Sequence, residues 1–182
     1  MREKLTDALY LALYATGITS LALPSLIRDG LASIAGPPRY AVPLVVSIIL
    51  GDFLAYWAHR AAHASPLLWR FHRVHHSTSV ANPLAAFRFH LVDLAWMSLV
   101  RTAPFALLRV AGAPLPLLLF AAMLWLEVLA HLGTEWSYGI VGRVVISPRH
   151  HGAHHALHRG NFAMLFPVWD SLFGSYTRLP CE

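Results

Sequence analysis

His59-Arg60-Ala61-Ala62-His63 is the first of several short histidine blocks that govern the interpretation of this chain. The others are His72-Arg73-Val74-His75-His76, the single His131, and His150-His151-Gly152-Ala153-His154-His155 with His158 one turn further. Histidines three or four residues apart lie on one face of a helix. Imidazole suits iron, copper, nickel and zinc, and eight or more converging ligands exceed what one ion can hold. The blocks therefore predict a site for two metal ions.

The composition predicts a membrane protein. The 182 residues are 57% apolar and 13% charged, which is more apolar than an ordinary soluble domain of this size. Four apolar stretches could cross a bilayer core of roughly 30 Å: residues 5–27, 41 to about 58, 91–116 and 115–132. Arg101 interrupts the third stretch, and a charge at that depth must face protein or water. We expect an all-α integral membrane protein with about four transmembrane helices.

Four crossings would place every histidine block on one side of the membrane. That side would also carry most of the basic residues: Arg2, Lys4, Arg60, Arg70, Arg73, Arg88, Arg143, Arg149, Arg159 and Arg178. At most Arg28, Arg39, Arg101 and Arg109 would belong to the other side. Excess positive charge marks the cytoplasmic face, so we expect a helical cap with the metal site in the cytoplasm, at a bacterial inner membrane or its equivalent. Because these arginines flank membrane segments, a nucleic-acid partner is not expected.

The N-terminus also admits a secretory signal, because Arg2 and Lys4 precede an apolar run. Against this interpretation, Glu3 and Asp7 dilute the basic region, and no convincing small-residue cleavage site follows. A single cysteine, Cys181, excludes a disulfide framework, a thiolate zinc site or an iron–sulfur cluster within one chain. We find no interdomain linker and expect one domain over residues 1–182.

Local signals place the histidine blocks on helices. Asp52, Tyr56, His59 and His63 follow one helical stripe. Ser65-Pro66 and Ser147-Pro148 each combine an N-cap residue with a first-turn proline. The first pair predicts a helix that carries His72, His75 and His76. The second predicts a helix that carries His151, His154, His155 and His158 and ends near Gly160.

Five more residues could hydrogen-bond a ligand imidazole or bind metal themselves: Asp52, His90, Glu127, Glu135 and His158. Glu127, His131 and Glu135 are spaced as one further helical stripe. His150 is expected to face away from its histidine neighbours and not to bind metal.

These residues resemble the signature of the fatty acid hydroxylase and sterol desaturase superfamily of membrane di-iron oxidases. The resemblance covers about residues 45–178 and rests on many elements in order: Asp52, Tyr56-Trp57, His59-Arg60-x-x-His63, Trp69-x-x-His72-x-x-His75-His76-Ser77, Asn82-Pro83, Phe87-Arg88-x-His90, His131, Pro148, His151-x-x-His154-His155, Asn161 and Trp169-Asp170-x-x-Phe173-Gly174-x-Tyr176.

The resemblance implies four membrane helices under a cytoplasmic helical cap that holds two irons. By the same resemblance the ligands are His59, His63, His72, His75, His76, His131, His151, His154 and His155, and no further catalytic residue is implied. Two departures stand out. Some members have a second histidine four residues after the position of His131, where this chain has Glu135. The chain also has little beyond the shared core.

The chemistry expected of such a site is the oxidation of an apolar lipid by dioxygen. Hydroxylation or desaturation of an aliphatic C–H bond in a fatty acyl chain, sterol or related lipid requires metal-activated oxygen, since no side chain can attack that bond. Each turnover requires two electrons, yet the chain has neither a dinucleotide fingerprint nor ferredoxin cysteines. A separate ferredoxin- or cytochrome-type electron donor is therefore expected.

The same residues bear on three other classes of protein. An intramembrane zinc protease would need glutamate where Arg60 stands. A bis-histidine haem protein would place its histidines within the crossing helices, whereas these lie outside them. A membrane metal-binding or metal-transport protein without oxidase activity remains the alternative, although its ligands would be expected along a path through the bilayer.

Overall fold

The computed structural model describes residues 2–15, 26, 29–30, 33, 44–78, 82–108 and 114–178. Over these ranges the chain is all-α, as predicted. Seven α-helices occur there: α1 Arg2–Ala15, α2 Leu44–Ala64, α3 Pro66–His72, α4 Leu91–Leu107, α5 Pro114–Ala130, α6 Pro148–Leu157 and α7 Val168–Leu172. The described connections include three short 3-10 turns: His75–Ser77, Pro83–Phe87 and Val141–Arg143.

Two predicted helix starts are confirmed. Ser65 caps α3 by accepting a hydrogen bond from the backbone N–H of Leu68 at 3.4 Å. Ser147 caps α6 by accepting one from the backbone N–H of His150 at 3.3 Å. A proline opens each helix, where its missing N–H costs nothing.

The predicted ends of these helices are wrong. α3 ends at His72, and His75 and His76 lie in the following 3-10 turn instead of on the same helix. α6 ends at Leu157, and His158 adopts the left-handed conformation with φ of 52°. α5 likewise stops at Ala130, so the predicted stripe does not continue to Glu135. In all three cases the helix ends before the last polar residue that the spacing places on it.

Helices α2 and α4 pack closely along one another, and α3 contacts both. Gly51 permits the close approach, since a Cβ there would lie 2.8 Å from the carbonyl oxygen of Arg101. α1 packs against the 83–87 turn, and α5 contacts both that turn and α6. The histidine-bearing segments are thereby collected at one end of the helices.

One helix among the described residues, α2, is long and apolar enough to cross a membrane. The predicted span 41–58 largely coincides with it. α4 and α5 have 17 residues each; α4 falls within the predicted span 91–116, and α5 begins one residue before the predicted span 115–132 and ends within it. α1 covers the start of the predicted span 5–27. Residues 16–25, 41–43 and 109–113 of these spans lie outside the described residues.

Several helices expose apolar side chains outward. On α1, Leu5, Leu9 and Leu13 are 64%, 59% and 55% exposed and are spaced four residues apart, while Asp7 is buried on another face. Val45 and Val46 of α2 are also exposed. Such a contiguous apolar face is unusual on a soluble monomer and suits contact with lipid.

Two ion pairs join the helices. Arg101 of α4 pairs with Glu127 of α5, which resolves the question of how a charge is accommodated in the third apolar stretch. Buried Asp7 of α1 pairs with Arg88, whose Nε donates to the carboxylate at 2.7 Å. The second pair ties α1 to the histidine-bearing end of the molecule.

Candidate metal centre

Nine histidines gather in two groups of inward-directed nitrogens. The five-histidine group consists of His59, His63, His72, His76 and His154, and the four-histidine group of His75, His131, His151 and His155. Within each group the candidate ligand atoms lie within 4.8 Å of one another. These nine are the same residues that the resemblance implies as ligands, although binding of metal by them stays a prediction.

In the five-histidine group, hydrogen bonds fix four of the five rings. The Nδ1 atoms of His59, His63 and His154 donate to backbone carbonyls of Phe162, His158 and Gly160 at 2.8, 3.1 and 2.7 Å. The Nδ1 of His72 donates to the buried carboxylate of Asp93 at 3.0 Å. A proton on Nδ1 leaves Nε2 of a neutral imidazole bare, which is the tautomer that binds metal through Nε2.

Three of the four bare nitrogens are buried and make no hydrogen bond to any residue that the structure describes: Nε2 of His59, His63 and His72. The fourth, Nε2 of His154, lies 3.1 Å from Nε2 of His76. Buried polar atoms are nearly always satisfied, so three orphaned nitrogens that face one another require an explanation. A metal ion bound among them would supply it.

Three of the four fixed rings depend on a single loop, residues 158–162, which we call the left-handed loop. His158, Gly160 and Asn161 have φ of 52°, 68° and 51° there. This backbone directs the alternate carbonyls of residues 158, 160 and 162 toward the histidines. The Asn161 side chain holds the loop, with Nδ2 donating to the carbonyls of His150 and Thr177 and Oδ1 accepting from the Thr177 N–H.

The four-histidine group is a closed ring of Nε2 atoms. Consecutive atoms of the ring His131–His75–His155–His151 are 3.3, 3.2, 3.0 and 3.0 Å apart. Nitrogens that bind one ion at about 2.0–2.1 Å lie roughly 3.0–3.4 Å from their neighbours. The Nδ1 of His131 donates to the Glu127 carbonyl at 2.7 Å, so its Nε2 carries no proton to share with the ring. Both groups therefore fit metal ions in geometry and in donor type.

Burial favours the neutral form of the imidazoles in both histidine groups. It lowers the pKa of His75, His76, His151, His154 and His155 below the usual value near 6.5, and the neighbouring imidazoles lower it further. The neutral imidazole is the form that binds metal, so these residues need not lose a proton to do so.

The carboxylates singled out from the sequence lie elsewhere. Asp52 accepts hydrogen bonds from the Phe166 N–H at 3.0 Å and from the Trp169 indole at 2.8 Å, which fixes the segment before α7. The Glu127 side chain pairs with Arg101, while its backbone carbonyl orients His131. Glu135 is 76% exposed and pairs with Arg149 at 3.5 Å. The geometry brings none of these three carboxylates into either histidine group.

The remaining histidines have other roles. Nδ1 of His90 accepts from the Val92 N–H at 3.1 Å and caps α4. His158 contributes its carbonyl to His63 and leaves its ring exposed. His150 does lie apart from both groups, as predicted, but it is buried, with Nε2 3.0 Å from the Asp170 carboxylate.

Two aspartates that orient the site were not assigned from the sequence. Asp93 stands three residues after His90, within the N-terminal turn of α4, and its spacing does not reveal that it reaches His72. Asp170 belongs to the motif Trp169-Asp170-x-x-Phe173-Gly174-x-Tyr176, but the sequence indicates no role for it. It accepts from the N–H groups of Phe162 and Ala163 and from the Ser175 hydroxyl, and so holds the chain whose Phe162 carbonyl orients His59.

Comparison with known proteins agrees with this geometry. Residues 44–175 match the model of the fatty acid hydroxylase family. The ornithine lipid hydroxylase OlsE of Rhizobium tropici is 32% identical over 77% of this chain and 43% of its own length. The Delta(7)-sterol 5(6)-desaturase erg3B of Aspergillus fumigatus is 32% identical over 72% of this chain and 38% of its own length.

The human alkylglycerol monooxygenase is 30% identical over 71% of this chain and 30% of its own length. The chain thus spans less than half the length of these relatives. No solved structure shows significant similarity to it. The match over most of the chain, together with the two buried histidine groups, establishes that this protein belongs to the fatty acid hydroxylase family.

Proposed function

We propose that this protein is a di-iron membrane oxidase that uses dioxygen to hydroxylate, or to desaturate, an aliphatic C–H bond of an apolar lipid. The observation that carries the proposal is the pair of buried groups of bare imidazole nitrogens. Two irons held by the nine histidines would supply the activated oxygen that an unactivated C–H bond requires. The relatives, which are named as hydroxylases, desaturases and a monooxygenase of lipids, support this class of reaction.

The protein's own residues provide orientation and exclusion of water. The carbonyls of the left-handed loop and the Asp93 carboxylate fix the imidazoles before any ion binds, which lowers the cost of organising them. Seven of the nine histidines in the two groups are buried, and His63 and His155 are half-buried, so water and stray reductant have little access.

We further propose a single domain with about four membrane crossings and the metal site in the cytoplasm. The exposed leucines of α1, the membrane-length α2 and the Asp7–Arg88 pair between α1 and the histidine end support this arrangement. Reporter fusions after residues 37 and 182 test it. We expect the first fusion outside the cytoplasm and the second inside, and the same compartment for both would contradict four crossings.

The reaction is tested with iron-loaded protein, membrane lipids, labelled dioxygen and an external reductant. We expect a lipid product that gains one labelled oxygen atom, or one that loses two hydrogens. Activity without dioxygen, or an alcohol whose oxygen comes from water, would contradict an oxidase.

Elemental analysis of gently purified protein should find two metal ions per chain, with zinc able to replace iron during overproduction. Metal binding with no lipid oxidation would favour the metal-transport alternative.

A further inference from the structure

Trp69 links the five-histidine group to the protein surface. Its ring centroid lies 5.0 Å from that of His63 and 5.5 Å from that of His76. The centroid of the same ring lies 5.8 Å from that of His158, whose side chain is exposed. One partly buried aromatic side chain thus contacts two candidate ligands and a surface residue.

His158 provides a second connection of the same kind. Its carbonyl accepts the Nδ1 hydrogen bond of His63 at 3.1 Å, and its ring centroid lies 5.0 Å from that of His76. The left-handed backbone at this residue allows the carbonyl to face inward while the ring remains at the surface. A single hydrogen bond therefore separates an exposed residue from a candidate ligand.

Exposed arginines stand close to these two residues in the sequence. Arg70 and Arg73 stand one and four residues after Trp69, Arg159 follows His158, and all three are exposed. In the part of the chain that the structure describes, none of the three forms an ion pair, whereas Arg88, Arg101 and Arg149 each pair with a carboxylate. A cationic surface around an aromatic contact to the site favours an acidic partner protein.

We propose that Trp69, His158, Arg70, Arg73 and Arg159 form a docking face for an acidic one-electron donor protein. This inference rests on the proposed function and identifies where its electrons enter. One dioxygen, two electrons and two protons convert R–H into R–OH and one water. Two reduced donors would dock in turn, and each would give up one electron to one of the two ferric ions that the nine histidines would hold.

Binding of an acidic [2Fe–2S] ferredoxin tests the docking face directly. The full-length protein is placed in nanodiscs of uncharged phosphatidylcholine, so that lipid charge does not compete. We expect Arg73→Glu/Arg159→Glu to weaken binding by at least about tenfold at low salt, with the difference diminishing as salt rises. The matched control is Arg143→Glu/Arg149→Glu, which makes the same change of charge on exposed residues of the 141–149 segment, with Arg149 at the opposite end of α6 from His158, and should alter binding less than about twofold. Equal weakening by both pairs, or none by either, would overturn the proposal.

The role of Trp69 is tested by the rate of iron reduction in the absence of dioxygen. In Trp69→Leu, reduction by pre-reduced ferredoxin should slow by at least about tenfold, while reduction by dithionite, a small reductant that needs no docking face, stays within about twofold. Trp69→Phe keeps an aromatic ring and should retain at least half of the ferredoxin rate. Slowing with both reductants, or loss of iron from Trp69→Leu, would show that Trp69 serves only for packing.

Failure of this inference can be distinguished from failure of the proposed function. Protein reduced anaerobically by dithionite and then exposed to dioxygen with lipid should form product in one turnover without any donor protein. Product in that experiment, combined with ferredoxin binding that ignores Arg73 and Arg159, would refute the docking face alone. No product would refute the proposed function itself.

Discussion

The five-histidine and four-histidine groups offer the same ligand chemistry but hold their imidazoles differently. Four of the five rings in the first group are fixed through Nδ1, three by the left-handed loop and one by Asp93. In the second group, among the residues that the structure describes, His131 alone is seen to be fixed in this way, while Nδ1 of His75 and of His151 is buried without a partner there. The first group is therefore organised by the fold, and the second would depend more on a bound metal ion for its organisation.

This difference in hydrogen bonding predicts that the two groups differ in metal affinity. A ligand fixed by a hydrogen bond loses little freedom when it binds metal, so the five-histidine group should bind its ion more tightly. The rings of the four-histidine group should adjust more readily when a co-substrate binds.

Removal of a ligand should have the largest effect. His154→Ala in the five-histidine group and His151→Ala in the four-histidine group should each reduce the metal content from two ions toward one and lower lipid oxidation by at least about 100-fold. Metal content is measured by elemental analysis and oxidation by lipid mass spectrometry.

The control for ligand removal is His90→Asn. Asparagine preserves the cap of α4, and His90 belongs to neither group, so both metal content and activity should persist. Loss of both ions from either alanine variant would show that the two groups are a single cooperative site.

Gly160→Ala should disable the five-histidine group without touching a ligand. A Cβ at residue 160 would lie 2.3 Å from Thr177 Oγ1 and 2.6 Å from the Ser175 carbonyl oxygen, and φ is 68°. The left-handed conformation alone costs a residue with a side chain about 1 kcal/mol or more, and the clash adds to this cost. We expect the protein to retain about one ion, bound by the four-histidine group.

Gly152→Ala is the matched control, because a Cβ there meets nothing within 4 Å and the residue lies within α6. That variant should retain both ions and full activity. Retention of two ions by Gly160→Ala would show that the left-handed loop does not govern the first group.

Asp93→Asn tests the carboxylate that accepts a hydrogen bond directly from the candidate ligand His72. Asparagine can still accept the hydrogen bond from His72 but removes the buried negative charge, so metal affinity of the five-histidine group should fall by about tenfold. A competitive titration with a coloured chelator measures the change.

Glu135→Gln serves as the comparison for Asp93→Asn and also tests whether Glu135 binds metal. Its carboxylate is exposed and pairs with Arg149, so the affinities of both groups should be unchanged. A loss of affinity in Glu135→Gln would place this carboxylate among the ligands and revise the four-histidine group.

Sequence reasoning succeeded here where the signal is local. Serine–proline pairs predicted the starts of α3 and α6, because a cap and its proline act within one turn. The division of His72, His75 and His76 between two groups could not be predicted from spacing, since it depends on where α3 ends and the chain turns.

The groups that orient the ligands could not be predicted from the sequence either, because they depend on how the chain folds. The carbonyls of residues 158, 160 and 162 are backbone groups, which every residue possesses, so the sequence does not mark them. Asp170 reaches Phe162 and His150 only after α7 folds back on α6. The expectation that His150 does not bind metal stays a prediction, and the sequence carried no hint that His150 is buried against Asp170.

Partial removal of metal is the subtlest test of the comparison. As chelator concentration rises, the ion of the four-histidine group should leave first, since only one of its rings is fixed through Nδ1, and we expect the two affinities to differ on the order of tenfold. The remaining ion should survive in His151→Ala and be absent from His154→Ala, which identifies its location.

Thermal unfolding should then show two steps of destabilisation. The step should be small as the first ion leaves and larger as the second leaves, because the ligands of the second ion lie on α2, α3 and α6 and in the turn after α3. Two outcomes would contradict this: both ions leave together, or the ion that remains depends on His151. Either would mean that the hydrogen bonds of the left-handed loop do not set the metal affinity. The unfixed rings of the four-histidine group would then bind metal as well as the fixed rings do.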